Sequence, residues 1–260
     1  MTTDAVSAAV SVAVSVAARI VTAMTDDFDL DDPWRTIAAI ARDWAEPLRE
    51  GDGTAEAKVD AELDAAEARL GHTLPAALRE AYRLLGHRPD LTSNQDQLLA
   101  PDELRLDGDR GVLVYRVENQ AGAYWGIRVT DLELADPPVL LRSDLARPRP
   151  EDWEPWLDRV STAFVEIVLS ETFMRHDDLT DFSDGFAEDE PTREVLDREY
   201  TRLPLPEYPL GQDEGCRWYV GGGVLLRADP GNLLNVRART PEALDALRDR
   251  FPGAWINTSR

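Results

Sequence analysis

Outside the carboxylates, few side chains in this sequence could do acid–base, nucleophilic or metal chemistry. There are three histidines and one cysteine. His72 falls in a turn between two helical stretches, His87 lies just past the second, and His176 stands beside Asp177 and Asp178. A His-Asp-Asp run could open a metal-phosphohydrolase dyad. That chemistry needs further histidine ligands from other helices, and the two remaining histidines lie near turns. Cys216 has no histidine near it in sequence, and no Gly-x-Ser-x-Gly nucleophile elbow occurs. Gly221-Gly-Gly223 is not followed by Gly-Lys-Ser/Thr and opens no helix, so it reads as a tight β-turn and not as a phosphate loop. A calcium loop with Gly185 at its sixth position would begin at Thr180. It would place Phe182 and Pro191 at ligand positions, where neither has a side-chain oxygen. No metal, no cofactor and no enzymatic activity are therefore expected, and a carboxylate enzyme using His176 is kept as an alternative.

What the sequence does have is negative charge. Fifty Asp and Glu stand against 28 Lys and Arg over 260 residues, a net charge of −22. Such a balance repels nucleic acid and anionic lipid and favours a basic partner. Lys58 is the one lysine, which points to a GC-rich coding bias and not to a guanidinium site. The C-terminal stretch from Leu234 to Arg260 has five arginines against three acids, too mild an excess for a nucleic-acid surface. The densest acidic stretch is Asp177 to Glu190, DDLTDFSDGFAEDE, with no basic residue in it. Thr180 to Glu188 has too few apolar residues to bury itself. Phe182 and Phe186 among Asp178, Asp181, Asp184, Glu188 and Asp189 would offer apolar anchors ringed by charge, which is the candidate partner-binding surface. The plainer reading is a solvated linker whose phenylalanines fold back onto the core. The polar stretch from His87 to Gln97 is the alternative interface.

The elements that must position these residues follow from periodicity. Val59, Leu63, Ala66 and Leu70 recur at helical spacing, Gly71 takes a C-cap place, and Leu74, Leu78, Ala81, Tyr82 and Leu85 form a second stripe ending at Gly86. This predicts a helical hairpin over Val59 to Gly86. A preceding helix starts at Asp32-Pro33 and carries Trp34, Ile37, Ala41 and Trp44. Five aspartates between Asp26 and Asp32 read as a solvated linker. The tetrad repeat from Ala5 to Ala18 is ambiguous between helix and strand, leans to helix through its alanines, and lacks the basic start of a signal peptide. Residues 1–30 are expected to be dispensable for folding.

Downstream, Gly111 to Val117 and Ala123 to Thr130 read as paired strands, and Val139 to Arg142 as a third. Asp152 is a candidate N-cap for a long helix carrying Trp153, Leu157, Val160, Phe164, Ile167 and Val168. Three strands follow at Arg217 to Val220, Val224 to Ala228 and Leu233 to Ala238, then a helix with Thr240 as N-cap and Pro241 in its first turn. Ala254 to Asn257 is a candidate last strand. The pattern is α+β and not an alternating βαβ series. Most of the seven tryptophans sit at apolar positions and read as core, with Trp218 and Trp255 as possible exposed anchors. The charged fraction of 30% argues against a membrane protein, and a single cysteine excludes an intramolecular disulfide and suits a cytoplasmic protein.

An acidic helix running into Leu70-Gly71-His72-Thr73-Leu74-Pro75, then an aromatic-containing helix ending in Leu84-Leu85-Gly86, resembles the SUKH superfamily over roughly Ala55 to Met174. That superfamily holds bacterial immunity proteins and fungal regulators of cell-wall assembly. The resemblance implies a mixed sheet packed by helices, here over residues 51–260 with a β-rich extension at about 210–260, behind a helical N-terminal extension of residues 1–50. It also implies a non-enzymatic role, binding a cognate toxin, often a nuclease, and blocking its active cleft; the acidic charge adds the expectation that this toxin is basic. A regulatory or scaffolding role of the cell-wall-assembly kind is the alternative.

Overall fold

The computed structural model describes residues 27–48, 54–143, 152–175, 177–184, 190–210, 215–230, 233–251 and 253–257. Among them are seven helices: α1 (Pro33–Trp44), α2 (Thr54–Leu70), α3 (Ala76–Leu85), α4 (Pro89–Thr92), α5 (Val160–Phe173), α6 (Glu190–Glu199) and α7 (Pro241–Arg250). The first six strands are β1 (Gln97–Leu98), β2 (Arg105–Asp107), β3 (Val112–Val117), β4 (Ala123–Arg128), β5 (Val139–Ser143) and β6 (Glu154–Leu157). The other six are β7 (Thr180–Asp184), β8 (Thr201–Arg202), β9 (Arg217–Gly221), β10 (Val224–Asp229), β11 (Leu233–Ala238) and β12 (Ala254–Trp255). Helices and two antiparallel sheets give the mixed α+β class expected from the sequence.

The chain divides into two compact units. The first comprises the described parts of Ala45–Arg175 and Tyr208–Asp213. Its sheet runs β1-β3-β4-β5-β6, with β2 also paired to β3. The hairpin forms as its periodicity predicts: Val59, Leu63, Ala66, Leu74, Leu78, Tyr82 and Leu85 are buried. Gly71 turns the chain at φ 73°, the left-handed value that glycine adopts without strain. Glu67 fixes the same turn, accepting the Leu74 N–H at 2.8 Å and facing Arg79 at 3.0 Å. α3 packs on α5, and α5 reaches the sheet where Phe164 stacks on Tyr115, ring centroids 5.8 Å apart. Every residue of α5 is buried, which accounts for its nearly all-round apolar sequence.

This helix does not begin at Asp152. Residues Glu154–Leu157 form edge strand β6, where Pro155 needs no ladder donor, and the helix starts at Val160. The start is set by Asp136, whose carboxylate takes the Ser161 N–H at 2.9 Å and the Ser161 hydroxyl at 2.5 Å. That cap lies 25 residues away in sequence.

The second unit comprises the described parts of Met1–Trp44, His176–Glu207 and Glu214–Arg260. This division differs from the one expected, because α1 belongs with the C-terminal strands and those strands form a sheet of their own. Arg239 lies 4.6 Å over the Trp44 ring and 3.6 Å from Asp43. The sheet order is β12-β7-β11-β10-β9-β8. Gly222 and Gly223, at φ 58° and 80°, make the tight β9–β10 turn. Thr240 caps α7, its hydroxyl accepting the Ala243 N–H at 3.2 Å. Leu226, Leu234 and Val236 pack with Leu244, Leu247, Phe251 and Trp255. Trp218 and Trp255 are buried, so neither is an exposed anchor.

The stretch after residue 26 is not a linker, although Asp29, Asp31 and Asp32 are exposed as expected. Asp27 pairs with Arg35 at 2.6 Å and Arg42 at 3.1 Å, Phe28 is buried, and the Asp29 N–H reaches the Thr36 hydroxyl at 2.9 Å. Residues 27–30 therefore belong to the fold. The tetrad repeat of residues 5–18 lies outside the described residues.

Candidate partner-binding surface

The acidic stretch chosen from the sequence is not one surface. Thr180–Asp184 is strand β7, paired on one side with β11 and on the other with β12. Asp181, expected to face a partner, is fully buried. Its register partner is Val236, and its carboxylate accepts Arg248 Nε and Nη2 at 2.9 and 2.5 Å and the N–H groups of Phe182 and Asn257 at 2.8 and 2.9 Å. Four donors and one matching charge make it a structural staple between β7 and α7. Phe182, on the opposite face of the strand, is half-buried and lies in register with Asn235. Asp177 is exposed and pairs with Arg237 at 2.7 Å; Asp178 is exposed. Asp184 closes the strand opposite Leu233 and Ala254, and its side chain lies outside the described set. Phe186, Glu188 and Asp189 lie outside the described residues, as does His176.

Basic side chains elsewhere are drawn into local ion pairs. On the hairpin, Arg79 lies 3.3, 2.9 and 3.0 Å from Asp60, Asp64 and Glu67, while Arg83 holds Asp60 at 2.8 Å. In the other unit, Arg250 grips Glu199 at 2.6 Å and holds its carboxyl down at about 2, with Arg198 helping. Since carboxylates outnumber these cations, the charge left over at the surface is negative.

A charged cluster that the sequence did not reveal lies between the sheet of the first unit and α5. Arg116 of β3 is 2% exposed and is surrounded by Asp96 at 2.9 Å, Glu166 at 3.1 Å and Glu171 at 3.0 Å. Its guanidinium also lies 4.4 Å from the centroid of the Trp125 ring. Glu166 further accepts the Ser170 hydroxyl at 2.5 Å and the Tyr208 hydroxyl at 3.4 Å. Glu171 takes the backbone N–H groups of Asn94 and Gln95 at 2.7 Å each and of Asp96 at 3.2 Å. Asp96 is pushed up to about 6: burial is the main cause, Glu171, Glu166 and Glu118 act in the same direction, and Arg116 opposes them. The polar stretch from His87 to Gln97 is thus tied down at its end by a buried glutamate. The signal for this cluster was an arginine inside VLVYRV and two glutamates inside VSTAFVEIVLSETF. Charged residues at apolar positions of buried elements call for partners.

Among the described residues, no group of three or more His, Cys, Asp or Glu could hold a metal ion, and no helix is long and apolar enough to cross a membrane. The chain matches no protein-family model, no curated protein and no solved structure.

Proposed function

We propose that this protein acts by binding a basic protein partner, and that the partner is a toxin domain which it neutralises. The observation that carries the reading is the charge surplus. With 50 acids against 28 bases, and many arginines held by the protein's own carboxylates, a partner approaching from solution meets a net negative surface. Such a field speeds the encounter with a cationic protein and selects against nucleic acid. A toxin that grips phosphates has a basic cleft of matching sign. The word immunity comes from the resemblance of residues 55–174 to the SUKH superfamily. After the helical hairpin that resemblance calls for a loop, a hydrophobic hairpin containing a tryptophan and a later helix rich in aromatics, for which the loop after Gly86, the paired strands with Trp125 and the helix with Phe164 are the candidates.

The test begins with the tagged full-length chain isolated from the cells that make it, its partners being identified by mass spectrometry. The partner should be basic, its association rate should fall steeply as salt rises through the range where the screening length shrinks from ~10 Å to ~3 Å, and its expression alone should arrest growth unless this chain is co-expressed. A partner whose association ignores salt would sink the electrostatic reading. One that leaves growth unaffected would point to the regulatory or scaffolding role instead.

A further inference from the structure

The three carboxylates around Arg116 differ in what holds their charge. Glu171 is met by three backbone N–H groups and by Arg116; Glu166 by Arg116, Ser170 and Tyr208. Asp96 is met by Arg116 alone. One guanidinium cannot neutralise three carboxylates, so with all of them ionised the buried cluster has a surplus of two negative charges, which a low-dielectric surrounding penalises. The group with the fewest donors and the most solvent access takes up the proton that relieves this surplus. That group is Asp96, whose side chain is 14% exposed against 4% for Glu166 and 1% for Glu171.

Its position gives the proton a mechanical consequence. Asp96 ends the short loop between α4 and β1, and the N–H groups of residues 94–96 all point at Glu171. Asn94 adds side-chain hydrogen bonds to the carbonyls of Asp90 and Glu171, 2.8 Å each. The charged groups facing Asp96 are Arg116 from β3, Glu118 just after β3, and Glu166 and Glu171 from α5. Three of these four are negative. Burial and these three carboxylates together outweigh the pull of Arg116, so an ionised Asp96 is favoured nearer solvent and away from the helix that its own backbone is bonded to, and a protonated one is not.

We propose that the Asp96–Arg116–Glu171 cluster is a proton-operated latch on loop 93–96, closed on α5 when Asp96 takes up a proton from solvent and loosened when that proton leaves. The inference is independent of the partner reading, since it concerns only groups inside the first unit. The pH scale follows from the surroundings of Asp96, which raise its carboxyl from 3.8 to about 6. Closure is favoured below that value and weakened above it.

The latch is read by hydrogen exchange of the full-length protein at the amides of Asn94, Gln95 and Asp96, corrected for intrinsic rate. Protection of these amides should rise about tenfold from about pH 7.5 to about pH 5. In Asp96→Asn, where no charge can form, protection should be the same at both values. Equal protection in the wild type, or a tenfold change retained in Asp96→Asn, overturns the proposal. Loop amides that at about pH 7.5 exchange no faster than the β3 and β4 amides also overturn it, because the proton would then be acting through unfolding of the whole unit and not on the loop.

Discussion

The first unit buries Arg116 with three carboxylates around it, while in the second unit a single carboxylate, Asp181, is buried against Arg248. Asp181 has four donors and one opposing charge, so burial leaves it satisfied. The Arg116 cluster has one cation for three anions, and its donors are unequally shared. A buried charge is tolerated where both charge and hydrogen bonds balance; where they do not, the site reacts to pH. One arrangement staples two elements together, and the other couples a loop to solvent protons.

Substitutions can break each side of this comparison. The largest effect is expected for Arg116→Met, which leaves three buried carboxylates facing one another with no cation. Chemical denaturation followed by tryptophan fluorescence should show a loss of roughly 3–5 kcal/mol at neutral pH. The loss should shrink on acidification, as Asp96 protonates. Asp181→Ala is expected to be milder, because Arg248 is 21% exposed and keeps Asp245 at 3.1 Å. The two backbone N–H groups left without an acceptor should lower stability by about 1–3 kcal/mol, measured in the same way. If Asp181→Ala proved the more damaging of the two at neutral pH, the contrast between staple and surplus would be misdrawn.

Regular elements were the legible part of this sequence. The hairpin was readable because its apolar residues recur at helical spacing and Gly71 marks the turn; the same holds for β3, β4, β9, β10 and β11 and for the Thr240 cap. Features set by partners distant in sequence were not. β7 hid inside an acidic run because what makes Asp181 an inward residue is Arg248, 67 positions away. The start of α5 depends on Asp136 and not on Asp152, the local candidate. α1 belongs with strands at the far end of the chain, a contact that no window of sequence contains. The acidic surface was legible as a total charge but not by location. Asp181 shows why: local composition cannot tell a carboxylate that faces water from one that faces an arginine.

The most direct test of the surplus-charge account is the unfolding free energy of wild type and Asp96→Asn, measured from about pH 5 to about pH 7.5. The folded state raises Asp96 from 3.8 to about 6, so its contribution to stability is full below the unfolded value and is lost as pH rises through the folded one. Over that interval the wild type should lose about 1.4 kcal/mol that Asp96→Asn does not lose, the equivalent of a tenfold change in the folding constant. The stability of the variant relative to wild type should therefore climb with pH and level off above about pH 7. Two profiles that run parallel across the whole interval would contradict the account, because Asp96 would then carry no proton that the fold has made it keep.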